Sequence, residues 1–297
     1  MSAFILTATL LSAVLACPQH DLSSQSLMKR AGGTADWAYD AAYNWGMINE
    51  SKFTFPTSIK MHTMPFSHPI SDISFPDYTT CQTGTQQSPI HLTTSSGFSK
   101  THRPTFNYPT STDGSLYNWG YGAAFSLTSN TTDLSGNPTL SFDNETLYLK
   151  GWHIHAPADH TIDSVRSKAE LHLVHATSSG EERAVVALRI DPIAYGTTAN
   201  STFFESFPLT SIPAFSDATA KIPITLDLKQ ALAEIDNADT FWTYEGSLTS
   251  PPCTEGIRWF VAGTKMSVGT EQMQELLAVS TFSAREEQGI WGQKVNV

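Results

Sequence analysis

The chain has 297 residues, 40% of them hydrophobic and only 15% charged, with a net charge of -11 and a pI near 5.3. That length allows one large domain or two small ones with a sizeable core. The acidic balance repels phosphate and argues against nucleic-acid binding, and a sequence low in Lys and Glu but full of Thr, Ser, Phe and Tyr suits strands better than long helices.

The N-terminus, MSAFILTATLLSAVLAC, is an apolar run of signal-peptide length with small residues around a cut after Ala16. A run of about 16 apolar residues is marginal for spanning a bilayer. No later segment is long and apolar enough to do so, which predicts an export signal over 1–16 and no membrane span. Lys29-Arg30 precedes small residues and has the form of a dibasic processing site, making 17–30 a propeptide and 31–297 the mature domain. Sequons at Asn49, Asn130, Asn144 and Asn200 agree with a secreted glycoprotein. Loss of Cys17 with the propeptide leaves Cys81 and Cys253, for which one disulfide is the default in an oxidising compartment.

Residues 50–90 are rich in Pro, Ser, Thr and Phe without clear periodicity and read as a long ordered arm packed on a core. From about residue 115, short β-branched or aromatic runs are bounded by Gly, Asn, Asp or Pro: AAFSLTS (123–129), TLSF (139–142), LYLKGWHIHA (147–156), AELHLVHAT (169–177), RAVVALRI (183–190), TFWTYEGSL (240–248) and RWFVAG (258–263). TLDLKQALAEID (225–236) and TEQMQELLAVS (270–280) have helical spacing, the second with Thr270 as candidate N-cap. Strands outnumber helices, and there is no repeat and no regular alternation of strand and helix. The expectation is a mainly β single domain on a large twisted, mostly antiparallel central sheet with a few short peripheral helices.

The stretch GWHIHAPADH (151–160) places His153 and His155 at i, i+2, on one face of a strand. In ELHLVH (170–175), Glu170, His172 and Val174 share one face; Leu171, Leu173 and His175 share the other. If the two strands are neighbours, His172 meets the pair. Three neutral imidazoles then make a zinc site with an open fourth position, and Glu170 can accept the outer N–H of His172. HIHAPAD also resembles the cupin motif, in which Asp159 would be a ligand for manganese or iron on a double-sheet barrel; a cupin has no use for FWTYEGSLTSPPCTEGIRWFV (241–261).

GSLTSPPC, together with ELHLVH and QQSPIHL, resembles the α-class carbonic anhydrases, and the likeness runs from ADWAYD near residue 36 to SAREEQG near 288. The resemblance implies a zinc enzyme for reversible hydration of carbon dioxide to bicarbonate, with side esterase activity and with anions and sulfonamides as inhibitors. It implies His153, His155 and His172 as zinc ligands. Thr249 would orient the zinc-bound hydroxide, with Asp159 as its carboxylate partner and Glu170 as acceptor for His172. Val174, Val185, Leu248, Ile257 and Trp259, with Ser250 at the rim, would form the substrate pocket. Tyr39 would order active-site water, and Cys81 and Cys253 match the disulfide of secreted members. Zinc lowers the pKa of its water to about 7, a value that belongs to carbonic anhydrases themselves. A non-catalytic relative serving as a binding module is the alternative.

Four departures from the family pattern stand out. Asp159 replaces the usual Glu and is one methylene shorter. Gly151 replaces a Gln that orients the first ligand. Ala123 stands where a proton-shuttling His is expected at the rim. The C-terminal arm is degraded, although Arg285 and Gln288 still match.

Overall fold

The computed structural model describes residues 78–128, 133–193, 200–213 and 219–297. The expected signal peptide and propeptide, Cys17, Tyr39, and the sequons at Asn49 and Asn130 lie outside the described residues. In chain order the strands are β1 (His91–Leu92), β2 (Thr105–Asn107), β3 (Thr112–Asn118), β4 (Ala123–Leu127), β5 (Thr139–Phe142), β6 (Glu145–His155), β7 (Thr161–Ile162), β8 (Val165–Arg166), β9 (Ala169–Ala176), β10 (Glu182–Pro192), β11 (Ile222–Leu226), β12 (Phe241–Ser247), β13 (Glu255–Ala262) and β14 (Met266–Val268). The α-helices are short: α1 (Thr80–Thr83), α2 (Thr202–Glu205), α3 (Leu228–Ala233) and α4 (Thr270–Ala278).

The central sheet runs β11-β3-β4-β6-β9-β10-β13-β12, and β1, β7 and β8 form a small separate sheet. Most neighbours are antiparallel, as expected, but β10 pairs in parallel with both β13 and β14. Two local expectations need correcting. Thr225 and Leu226 belong to strand β11 rather than to a helix, because Asp227 stops the strand and caps α3 by accepting from the Lys229 and Gln230 N–H groups. Thr270 is the first residue of α4 and not its cap; Gly269 takes that place, and its N–H is satisfied by Gln272 Oε1 at 3.0 Å.

One bulge decides which residues face which side. The β6–β9 register passes from Leu149 opposite His175 directly to Gly151 opposite Val174, so Lys150 is an extra residue. Leu147 and Leu149 before it, and Trp152 and Ile154 after it, therefore pack into the same large core. After the bulge the odd positions Gly151, His153 and His155 turn to the opposite face. There Val174, Val185, Ala187, Trp242, Tyr244, Ile257, Trp259 and Val261 build a second apolar cluster. Gly151 is required at the bulge, since a Cβ there would lie 2.2 Å from the Phe125 carbonyl oxygen on β4. That close approach is the physical reason a Gln cannot occupy the position.

Candidate metal centre

Residues opposite one another across the sheet form rows. One row runs Ala124, His153, His172, Ala187, Val261, Trp242 across β4, β6, β9, β10, β13 and β12. The next, two residues along each strand, runs Ser126, Gly151, Val174, Val185, Trp259, Tyr244. A row containing two imidazoles thus lies beside a row of apolar side chains, with His155 next to His153 on the strand and opposite Glu170.

The three histidines are at most 3% exposed, and they offer one donor nitrogen each within 4.8 Å of one another. Their ring centroids are 4.6 to 5.2 Å apart. Outer hydrogen bonds set two tautomers. His155 Nδ1 donates to the Ser283 carbonyl at 2.7 Å and His172 Nε2 donates to Glu170 Oε1 at 2.7 Å, leaving His155 Nε2 and His172 Nδ1 as lone pairs. His153 Nε2 lies 3.0 Å from His155 Nε2. Burial pushes His155 down in pKa against the pull of Asp159, keeping it neutral as a ligand must be. Converging imidazoles, two of them with their outer nitrogens already bonded, fit zinc.

Glu170 is buried, which works against its charge. His160 and His172 outweigh burial and hold its carboxyl well below the usual range. His160 was missed by sequence reasoning. Its Nδ1 donates to Glu170 Oε1 at 2.6 Å, its backbone N–H to Oε2 at 3.0 Å, and its Nε2 lies 2.8 Å from the Tyr244 hydroxyl, which donates to Ser88 Oγ at 2.9 Å. The chain of bonds runs from His172 to the buried Ser88. The third imidazole of GWHIHAPADH was the available signal for it.

Asp159 does not join the histidine cluster as a ligand; its Oδ2 is 3.7 Å from His155 Nδ1, the outer nitrogen. That geometry, on an open sheet instead of a double-sheet barrel, removes the cupin reading. Asp159 Oδ1 accepts from the Arg285 N–H at 2.8 Å, while Oδ2 is buried with no hydrogen-bond partner. The direct contact to Thr249 that the resemblance implies is therefore not made. Arg285, which the resemblance matched without giving it a role, acts here as a tie: its guanidinium donates to the carbonyls of Ser88, Leu248 and Cys81 and to Gln87 Oε1. It ties Asp159, the 248–253 loop and α1 into one unit.

Thr249 and Ser250 are buried in that loop, which closes through Leu248 N–H to Thr254 O and Cys253 N–H to Ser250 O. Cys253 is bonded to Cys81, with Cα atoms 5.1 Å apart. Leu248 and Ile257 pack in the cluster with Val174, Val185 and Trp259. One expectation shifts. Ala123 is not at a rim; its side chain is fully buried in the large core, and Ala124 faces the histidines. Gln288 holds the C-terminal segment by donating its N–H to the Pro89 carbonyl. Of the described sequons, Asn144 sits exposed in the β5–β6 turn, and exposed Asn200 donates to Glu205 Oε1.

The family described as eukaryotic-type carbonic anhydrase matches residues 74–294. A carbonic anhydrase of Klebsiella pneumoniae is 32% identical over 256 residues, covering 85% of this chain and 86% of its own. Among solved structures, the fungal α carbonic anhydrase of Aspergillus oryzae superposes with a TM-score of 0.62 at 27% identity, over 73% of this chain and 87% of that one. Carbonic anhydrase Cah3 of Chlamydomonas reinhardtii, solved with acetazolamide, superposes with a TM-score of 0.58 at 25% identity, over 80% of this chain and 98% of that one. With the family match, the relatives and the histidine face in agreement, this chain belongs to the eukaryotic-type, or α, carbonic anhydrase family.

Proposed function

We propose that this carbonic anhydrase hydrates carbon dioxide reversibly as a zinc enzyme, with His153, His155 and His172 holding the metal. The observation that carries the reading is the pair of adjacent rows, imidazoles in one and apolar side chains in the other. Zinc bound there acidifies water to a pKa of about 7 and supplies hydroxide at neutral pH. Carbon dioxide has no group to grip by hydrogen bonds, so Val174, Val185, Leu248, Ile257 and Trp259 hold it by burial beside the histidines at attack distance. Thr249 orients the attacking oxygen through its hydroxyl. The unpartnered Asp159 Oδ2 is the acceptor toward which that hydroxyl would donate, across the gap that a carboxylate one methylene shorter leaves. Glu170 and His160 keep His172 in the tautomer a ligand needs.

Water and carbon dioxide are consumed and bicarbonate and a proton released. Small activated esters are side substrates, and anions and sulfonamides are inhibitors, in line with the acetazolamide complex of the Chlamydomonas relative. Export, processing after Lys29-Arg30 and glycosylation at Asn144 belong to the same proposal, supported by the apolar N-terminus and the Cys81–Cys253 bond. Stopped-flow hydration with zinc quantification tests the reading: one zinc per chain and hydration far above the buffer rate support it, whereas zinc-loaded protein without hydration favours the binding-module alternative.

A further inference from the structure

Trp291 is 82% exposed, the most exposed large hydrophobic side chain among the described residues. A Trp held in water marks a contact surface more often than a packing one. Fraying does not account for it, because the backbone is pinned on both sides. The Trp291 N–H donates to Gln293 Oε1 at 2.9 Å, and the Gly292 N–H donates to the Thr85 carbonyl at 3.1 Å. Gln293 is itself buried and donates from Nε2 to the Gln87 carbonyl at 2.7 Å. The indole lies against Gly289, where a Cβ would come within 2.8 Å of Nε1. It lines a cleft of about 260 Å3 between the end of α1 and the C-terminal segment, together with Gln82, Thr83, Thr85 and Gln288. Among the described residues, no acidic or basic side chain lines this cleft.

The lining offers hydrogen bonds without charge. Thr83 Oγ1 donates to the Thr79 carbonyl at 3.0 Å and Gln288 Nε2 donates to the Glu286 carbonyl at 2.8 Å, so the Thr83 hydroxyl oxygen and Gln288 Oε1 remain as acceptors. Gln87 also lines the cleft but is committed inward, to the Cys253 carbonyl, Glu255 and Arg285. The indole N–H adds a donor. An anion would find no cation in the lining and would meet a chain of net charge -11. A metal ion would find no carboxylate or imidazole there. A pyranose ring with equatorial hydroxyls matches both halves of the cleft: its apolar C–H face covers an indole, and its edge hydroxyls bond amides and hydroxyls. The cleft is smaller than the ~300–1,000 Å3 of drug-sized sites, so it takes one ring of a chain. We infer that this cleft is a subsite for a neutral polysaccharide, with Trp291 as its stacking platform. None of its lining residues belongs to the histidine cluster, so the inference stands apart from the hydratase reading.

The test is calorimetry of the full protein with cellohexaose and with chitohexaose, chains of glucose and of N-acetylglucosamine that share the flat, equatorially substituted ring. At least one of them should bind saturably to wild type, and the pair tells which ring the cleft accepts. Trp291→Ala should weaken that binding about tenfold, the order of one aromatic stacking contact, and Trp291→Tyr should fall in between. The indole is outside the core, so the three proteins should share one urea midpoint, which separates lost binding from lost fold. Acrylamide should quench the tryptophan fluorescence of wild type more than that of Trp291→Ala, because the platform is open to water. Binding of neither chain, or equal affinity in wild type and Trp291→Ala, would overturn the inference. Equal quenching would overturn it as well, since the indole would then be covered by the residues before Tyr78 or by a second copy of the chain. If Trp291→Ala does not fold, the same comparisons on Trp291→Tyr decide.

Discussion

Lys150 on β6 and Glu182 on β10 form a buried ion pair, Nζ to Oε1 at 2.9 Å, that reaches past the strand between them. Lys150 is the extra residue of the β6 bulge, and the β9–β10 register is interrupted at the same level, between Glu182 and Ala184. The pair thus fastens the two irregularities that hand the odd residues of β6 to the histidine face. Removing one partner leaves a buried, uncompensated charge, which costs about 3–5 kcal/mol. Lys150→Met should lose that much in urea unfolding, and Lys150→Met/Glu182→Leu should recover a large part of it. A single variant as stable as wild type would show that the bulge does not depend on the pair.

Glu170→Gln tests the outer shell. Gln keeps the shape but can present an amide donor toward His172 and His160, so the tautomer of His172 is no longer held. Zinc affinity should fall about 10–100-fold, the usual effect of removing such a partner, measured by competition with a chromophoric chelator. His172→Ala should lose most of its zinc outright. Full zinc and full activity in His172→Ala would mean that the ligands lie elsewhere.

Asp159→Glu adds the missing methylene. Oδ1 of the present residue is taken by Arg285 and Oδ2 has no partner, so a longer carboxylate should reach the Thr249 hydroxyl directly and raise kcat/KM for hydration. Thr249→Ala should lower hydration by about 10² to 10³, the cost of one positioned transition-state contact. A lower rate in Asp159→Glu, measured by stopped flow, would show that the short carboxylate is already matched to its loop.

The strands that carry the chemistry were legible because their side chains obey period two: His153 with His155, and Glu170 with His172, point together whatever the rest of the fold does. The strands β3 and β11 were not. Thr112–Asn118 contains Asp113-Gly114, which reads as a turn, and Ile222–Leu226 carries Pro223, tolerated there because β11 is the last strand on that side of the sheet order. Leu149 also follows the wrong parity unless the bulge at Lys150 is known, for which Gly151 in YLKGW is the one local signal. His160, Tyr244 and Arg285 act through partners as far as 84 to 204 residues away, a distance that no spacing rule reaches.

Ala123 bears on proton release. Passing a proton from a pKa near 7 straight to bulk water is uphill by roughly 8 to 9 units, about 12 kcal/mol, which caps turnover on the order of 10⁴ per second. The saturated rate should therefore rise with the concentration of imidazole buffer. Ala123→His will not replace the buffer, because that side chain enters the large core. The variant should instead lose about 1–3 kcal/mol of stability by overpacking. A rate rise in dilute buffer with unchanged stability would place residue 123 at the mouth of the site after all.

His175 sets an acid limit of its own. It lies on the core side of β9, its Nε2 is 2.6 Å from the Tyr108 hydroxyl, and burial pushes it from 6.5 down to about 3. The folded protein takes up this proton only near pH 3, whereas the unfolded chain takes it up from about pH 6.5 downward. Between those values the unfolded state holds more protons, so stability falls as pH falls. The penalty is absent well above pH 6.5, about 2 kcal/mol at pH 5, and full only near pH 3. His175→Gln keeps a polar partner for Tyr108 and cannot titrate. The loss of unfolding free energy between pH 7 and pH 5, measured by urea titration of metal-free protein, should therefore be smaller in His175→Gln than in wild type by about 2 kcal/mol. Parallel pH profiles for the two proteins would mean that His175 is protonated as readily in the fold as out of it.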